Sequence, residues 1–197
     1  MERFRSGKGL SPLTQIEAYW RDLCSGGTVP MRSEVDPRAL ENALNHTFVL
    51  ERIAPGVARF RLAGRVVSNL MGMEVRGMPF SSIFVAPAKS NVALHLEKVF
   101  SDTAIAKLSL CGQTEPAQPT LDLRMILLPL LSDFGEVNRA LGAIVHDGTI
   151  GQTPRRLTVR HVSHERFGDI RTKEPVPGFA EPTAAYDTGI PYLRVVK

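Results

Sequence analysis

The sequence has little cysteine and no long hydrophobic run, and these two absences narrow the class of protein. Its only cysteines among 197 residues are Cys24 and Cys111, which lie too far apart for a C-x-x-C motif. The first ten residues, MERFRSGKGL, contain no apolar stretch of the kind found in a signal peptide. The longest apolar run, residues 125–131, is far too short to span a bilayer. The sequence therefore predicts a reduced, cytoplasmic protein without a transmembrane segment.

The common signatures of catalysis and metal binding are also absent. The sequence contains no G-x-S-x-G nucleophile motif and no Gly-rich phosphate loop of the P-loop or dinucleotide-binding type. No histidine pair has H-x-x-x-H or H-E-x-x-H spacing, so a zinc site is not expected. We predict that the chain is not an enzyme. The alternative is a small enzyme with an α+β pocket, for which Asp122, His95 or His146 would act as the base.

Excess positive charge is confined to one segment. The net charge is +4, and residues 153–173 account for all of it, with six cations against two anions. We expect a basic arm at 149–173, in which Arg155, Arg156 and Arg160 bind an anionic partner or are simply solvated. The spacing Arg156-x-x-x-Arg160 resembles the arginine portion of cyclic-dinucleotide receptors, but the companion D/N-x-S-x-x-G segment is missing. Nucleic-acid binding is not expected, because Phe167 is the only aromatic residue nearby.

An amphipathic helix is predicted after a flexible lead-in at residues 1–10. Leu13, Ile16, Trp20 and Leu23 recur at helical spacing and form one apolar face. We expect Ile16, Trp20 and Leu23 to pack against a sheet or against the second subunit of a homodimer.

Apolar and polar residues then alternate as they do in antiparallel strands. The most apolar pair of strands, 121–131 and 139–145, predicts a central hairpin that needs cover from the remaining chain. Further strands are predicted at 47–53, 57–62 and 104–111, with helices at 38–44, 65–72 and 87–102. The predicted fold is therefore α+β, with a five-stranded antiparallel sheet and helices on one face. Alternation at Leu157, Val159 and His161 indicates one more short strand or an extended arm at the domain edge.

Three segments carry a family resemblance. They are WRDLCSGGTVPMRSEVDP at 20–37, RFRLAG at 59–64 and LLPLLSDFGEVNRALGA at 127–143. Together they resemble a family of short, stand-alone PAS proteins from alphaproteobacteria, over about residues 14–147. The resemblance implies a PAS-like sheet of five strands, a regulatory role, and self-association through the helix that precedes the sheet. It also implies that Pro129, inside a predicted central strand, marks a bulge or the end of that strand.

The predicted domain at 11–148 would enclose a mostly apolar pocket. Its predicted lining is Phe60, Leu62, Leu70, Met71, Leu96, Cys111 and Met125, with His95 at the edge of the helical stripe. His95 makes haem a candidate cofactor, because the corresponding helix supplies the iron ligand in haem-binding PAS domains.

The predicted function is that of a sensory or regulatory module. A ligand or a protein partner would favour one packing of helix and sheet, and another protein would recognise the changed surface. A third possibility is an adaptor without a ligand, acting through the basic arm and the Pro-rich tail at 174–197.

Overall fold

The computed structural model describes residues 11–24, 27–113 and 118–167. Three α-helices and six β-strands form in this part of the chain, together with several short 3-10 helices. The α-helices are α1 (Pro12–Leu23), α2 (Arg65–Met71) and α3 (Lys89–Ser101). The strands are β1 (Thr47–Ala54), β2 (Val57–Ala63), β3 (Ala104–Gly112), β4 (Leu121–Leu131), β5 (Val137–Gly148) and β6 (Leu157–Arg166). The predicted lead-in at 1–10 and the tail at 174–197 lie outside the described residues.

All six strands belong to one antiparallel sheet in the order β2-β1-β5-β4-β3-β6. The predicted α+β class and antiparallel sheet are confirmed, whereas the predicted number of strands, five, was too low by one. The additional strand is β6, which pairs with β3 from Ala104↔Arg166 to Gly112↔Leu157. Much of the segment predicted as a basic arm is therefore an edge strand of the sheet, which is one of the two outcomes that its alternating pattern indicated.

Helices cover both faces of the sheet. Side chains of successive strand residues point to opposite sides, so each strand contributes residues to both faces. Leu123, Met125 and Leu127 of β4 face one core, over which α2 and α3 pack. Ile126 and Leu128 face the other core, over which α1 and a 3-10 helix, Pro37–His46, pack. We call these sides the α3 face and the α1 face. The helices between β2 and β3 thus share one face as predicted, and the N-terminal helix covers the opposite one.

Trp20 anchors α1 to the sheet of its own chain. Its side chain is fully buried, and its Nε1 donates a hydrogen bond to the carbonyl oxygen of Pro129 at 2.8 Å. The N–H and C=O groups of one strand residue point to the same edge of the strand. The edge of β4 at which Pro129 has no N–H is therefore the edge that faces Trp20. Pairing of β4 with β3 has already ended, at Leu127↔Ala106. Pro129 therefore removes no hydrogen bond from the ladder, and a register shift and the end of β4 follow within two residues.

Helix limits agree with the capping signals of the sequence. The Asp36 side chain accepts a hydrogen bond from the Arg38 N–H at 2.9 Å and caps the Pro37–His46 helix. Gly72 ends α2 in the left-handed conformation, with φ of 69°. Within the described residues, no helix has the length and apolar character needed to cross a membrane.

Candidate functional site

Five of the eight residues predicted to line a pocket lie together in the core of the α3 face. They are Phe60, Leu70, Met71, Leu96 and Met125. Their neighbours there are further phenylalanines, and the rings of Phe48, Phe60, Phe80 and Phe84 contact one another with centroids 5.3 to 6.1 Å apart. Aromatic rings fill the space between the sheet and these helices that was assigned to a ligand.

Leu62 and Cys111 were assigned to this pocket wrongly. The β1–β2 register shifts between Val49 and Leu50, so that Leu62 pairs with Val49 while Phe60 pairs with Leu50. The shift places Leu62 on the α1 face, where its side chain is 47% exposed. Cys111 alternates with the core residue Leu110 and therefore also points away from the α3 face.

His95 lies at the junction of α3 and β6. Its ring stacks on that of His164, with centroids 5.0 Å apart and planes at 25°, and a His164 ring nitrogen lies 3.4 Å from the His95 carbonyl oxygen. The Nδ1 atom of His95 is buried and has no hydrogen-bond partner. Burial, followed by the charges of His164 and Lys98, lowers the pKa of His95. His95 thus contacts β6, in place of the interior position that a haem ligand would occupy.

A polar groove of about 450 Å³ lies beside this histidine pair, and we call it the α3–β6 groove. Its lining residues are Val85, Pro87, Ala88, Asn91, His95, Thr158, Val159, Arg160, His161 and Val162. In the part of the chain that the structure describes, no three His, Cys, Asp or Glu residues are grouped as metal ligands.

The three arginines of the predicted basic arm do not form a common anion site. Arg155 is only 2% exposed, and its Nη2 donates to the Pro119 carbonyl oxygen at 2.7 Å. Arg160 forms an ion pair with Asp122 at 2.7 Å, and Arg156 is exposed to solvent. The assignment of Arg155 to a solvated arm was wrong because its side chain packs against Gly112 and Gly151, where a Cβ would collide with it or touch it.

The residues weighed as a catalytic base are not brought together. Asp122 lies on the same side of β4 as Ile126 and therefore on the α1 face. His146 pairs with Leu123 of the α3 face, and His95 belongs to α3. The sheet separates Asp122 from both histidines.

A cluster that the sequence analysis missed lies on the α1 face. Glu51 of β1 is only 9% exposed, and three guanidinium groups surround its carboxylate. Arg59 lies within 2.7 Å, Arg139 within 2.8 Å and Arg61 within 2.9 Å of its oxygens. We call these four residues the arginine cluster.

The arginine cluster carries an excess of two positive charges. Burial alone would raise the pKa of the Glu51 carboxyl, but the hydrogen bond from Arg59 and the charges of the three arginines outweigh burial and lower that pKa. The Arg59 and Arg61 side chains remain 42% and 50% exposed. Since a guanidinium has five N–H donors and a carboxylate accepts only a few hydrogen bonds, donors remain available to an anion. The R-x-R spacing at 59–61, opposite an acidic residue of the paired strand, is the sequence signal that could have revealed the cluster.

An apolar groove of about 180 Å³ adjoins the arginine cluster on the same face. Val49 lies two residues from Glu51 on β1, and Leu141 lies two residues from Arg139 on β5, so groove and cluster follow each other along the strands. The groove leaves Leu44 42% and Leu62 47% exposed. Its full lining is Arg32, Val35, Pro37, Leu40, Leu44, Thr47, Phe48, Val49, Leu62, Ala63, Gly64 and Leu141. We call it the apolar groove.

Comparison with known proteins agrees with this architecture. No curated protein matches the chain significantly. A family model described as a PAS domain matches residues 9–145, which covers α1, the first four strands and most of β5 and leaves β6 outside the match. PAS domains are generally sensory modules and not catalysts. By this match over more than half of its length, the chain belongs to the PAS domain family.

Proposed function

We propose that this PAS domain is a regulatory protein-interaction module that binds an acidic segment of a partner protein on the α1 face. The observation that carries the proposal is the arginine cluster beside the apolar groove. Arginine is enriched among the residues that dominate binding energy at protein interfaces, and the adjoining groove can accommodate an apolar anchor of the partner. The excess of guanidinium groups over Glu51 favours carboxylates in the partner.

Binding would act by changing the packing of the helices on this face. The Pro37–His46 helix forms one wall of the apolar groove, and the segment leading into it is tied to α1, because the Asp36 N–H donates to the Tyr19 hydroxyl at 2.8 Å. A partner that separates this helix from β2 would therefore disturb α1 as well. The partner stabilises one of two arrangements by its differential affinity for them.

A pair of matched peptides tests the proposed function. The probe is a short fluorescein-labelled peptide with one phenylalanine flanked by glutamates, and its control has lysines in place of the glutamates. We expect fluorescence anisotropy to show binding of the acidic peptide only, and at least a tenfold loss of affinity in the double variant Arg59→Ala, Arg61→Ala, since desolvated charged hydrogen bonds contribute about 1.5 to 3 kcal/mol each. The control variant is Arg156→Ala. Equal binding of both peptides, or equal losses in both variants, contradicts the proposal.

A second candidate function is the sensing of a small polar ligand in the α3–β6 groove. It is favoured by the buried and unpartnered Nδ1 atom of His95, because an unsatisfied buried polar atom costs free energy that a ligand could recover. Native mass spectrometry of the purified protein should then show an added mass that the variant His95→Ala loses. Absence of an added mass in the parent protein would contradict a sensory role for this groove.

A homodimer in the cytoplasm is part of the same proposal, but its interface would not be the one expected from the sequence. Ile16 and Trp20 are fully buried within one chain, and Leu23 is half-buried against the same core, so these residues leave little apolar surface for a second subunit. Light scattering during size-exclusion chromatography measures the association directly, and a monomer at all concentrations contradicts it.

A further inference from the structure

The sequence contains a segment whose chemistry complements the apolar groove and the arginine cluster. Residues 174–187, EPVPGFAEPTAAYD, include Glu174, Glu181 and Asp187 but no lysine or arginine. They also include the aromatic residues Phe179 and Tyr186. An acidic segment with aromatic side chains is the type of partner that the site on the α1 face requires.

The described chain ends on the correct face for this segment to reach the site. Phe167 follows β6, and its ring contacts that of Trp20 with centroids 4.7 Å apart. Both residues belong to the core of the α1 face, as do Val49 and Leu141 of the apolar groove. The chain therefore leaves the domain on the side that carries the groove.

The length of the connecting chain is sufficient. Twelve residues lead from Phe167 to Phe179, and they span about 40 Å when extended at roughly 3.3 Å per residue. In the sheet order, β6 and β1 are four strand spacings apart, about 19 Å at roughly 4.8 Å each. The difference leaves enough chain to pass around α1, which lies over β4 and β5 on this face, and still reach β1.

Spacing within the segment also matches the site. Phe179 and Glu181 are two residues apart, and so are the groove residue Val49 and the cluster residue Glu51 on β1. An extended segment lying along β1 would place an aromatic ring in the apolar groove and a carboxylate next to the guanidinium groups. One length of chain can therefore satisfy both parts of the surface.

We propose that residues 174–187 of this chain occupy the apolar groove, with Phe179 in the groove and Glu181 paired with Arg59 and Arg61. The inference rests on the proposed function, because residues 174–187 would compete with the protein partner for the same site. A protein partner then has to displace the segment, and its apparent affinity is reduced by the fraction of time for which the groove is occupied.

Photo-crosslinking in the full chain tests the location of the segment. Benzoylphenylalanine in place of Phe179 should form cross-links to peptides containing Leu44, Val49 or Leu62, identified by mass spectrometry. The variant Arg61→Glu should reduce the yield several-fold, and the added change Glu181→Arg should restore it, because the ion pair is re-formed with reversed signs. The matched control, Arg156→Glu, should leave the yield unchanged. Cross-links that fall elsewhere, or a yield insensitive to Arg61→Glu, overturn the proposal.

A mixture of two isotopic forms identifies which chain supplies the segment. Unlabelled photoprobe protein is mixed with ¹⁵N-labelled protein that lacks the photoprobe. Cross-links confined to unlabelled chains support docking of a chain's own segment. Cross-links between unlabelled and labelled chains overturn this and assign the groove to a second copy.

The acidic probe peptide separates failure of this inference from failure of the proposed function. The triple variant Glu174→Gln, Glu181→Gln, Asp187→Asn should bind the probe more tightly than the parent chain does. An increase of about tenfold corresponds to a segment that occupies the groove about 90% of the time. Equal affinities contradict the internal competitor and leave the partner site standing. Absence of probe binding to both proteins contradicts the partner site itself.

Discussion

At the scale of single residues, Gly142 shows how one missing side chain permits the aromatic core. Gly142 of β5 is paired with Phe48 of β1, and a Cβ added at Gly142 would overlap the Phe48 ring. Phe48 in turn contacts the rings of Phe60 and Phe80. The absence of a side chain on β5 therefore makes the room that the phenylalanines of the α3 face occupy.

The variant Gly142→Ala should accordingly destabilise the protein. We expect a loss of about 1 to 3 kcal/mol in the free energy of unfolding, the usual range for overpacking a close-packed core, measured by chemical denaturation. The smaller side chain of Phe48→Leu should recover part of the loss when the two changes are combined, because they share one contact. Additive losses in the double variant would show that Phe48 is not the obstacle.

Glu51 shows how one buried side chain can orient several exposed ones. A single buried carboxylate holds three guanidinium groups on neighbouring strands, and it thereby keeps them oriented before any partner arrives. Preorganised side chains lose less conformational entropy on binding. Glu51 thus prepares the surface that the proposed partner, or residues 174–187, would use.

At the scale of elements, α1 is fixed to the sheet by one indole. The variant Trp20→Ala should lower the free energy of unfolding by about 3 to 5 kcal/mol, as for other buried aromatic residues replaced by alanine. Trp20→Phe keeps most of the apolar contact and loses the hydrogen bond to Pro129, so its effect should be smaller. Thermal melts give both values, and Leu94→Ala on α3, where the side chain is 68% exposed, is the control. Melts of Trp20→Ala that match the parent would mean that α1 does not depend on this contact.

The contact between α3 and β6 should depend on pH through His95. Its pKa is lowered in the folded protein, chiefly by burial and then by His164 and Lys98. The unfolded chain therefore binds more protons than the folded one between the ordinary histidine pKa of 6.5 and the lowered value. Stability contributed by neutral His95 should be present above pH 6.5 and be lost as the pH falls through that window.

The comparison of parent and His95→Gln across this pH range measures the contribution. Other groups in the groove, His161 and Arg160, are unchanged in both proteins. The difference in melting temperature between the two proteins should therefore change as the pH falls below 6.5. A difference that is independent of pH would remove His95 as its source.

At the scale of the whole molecule, local patterns predicted most of the fold and missed what depends on register. Alternation and turn residues located the central hairpin, because its side chains report directly on burial. The position of Leu62 could not be predicted, since a register shift in β1–β2 reverses the face without changing the local pattern. Arg155 was misplaced because its burial depends on Gly112, which lies far away in the sequence but next to Arg155 in the fold. The arginine cluster was overlooked for a similar reason, as three strands must be aligned before its residues meet.

The pairing of β6 bears on where the folded domain ends. The sequence placed a boundary at residue 148, and the family match ends at residue 145. The structure nevertheless pairs β6 with β3 along its whole length. Leu157 is fully buried in the core of the α3 face, and its carbonyl oxygen accepts a hydrogen bond from the Val85 N–H at 3.0 Å. We therefore propose that the folding unit extends to Phe167.

Two truncations test this extent. A chain of residues 1–167 should keep most of the thermal stability of the full chain, because it keeps β6 and loses at most the docking of residues 174–187 in the apolar groove. A chain of residues 1–148 loses Leu157 from the core and leaves the edge of β3 unpaired, so it should melt at a distinctly lower temperature or aggregate. Calorimetry distinguishes the cases, with circular dichroism as a check on folding. A 1–148 chain as stable as the full chain would show that β6 is an accessory strand, and the boundary at residue 148 would then be correct.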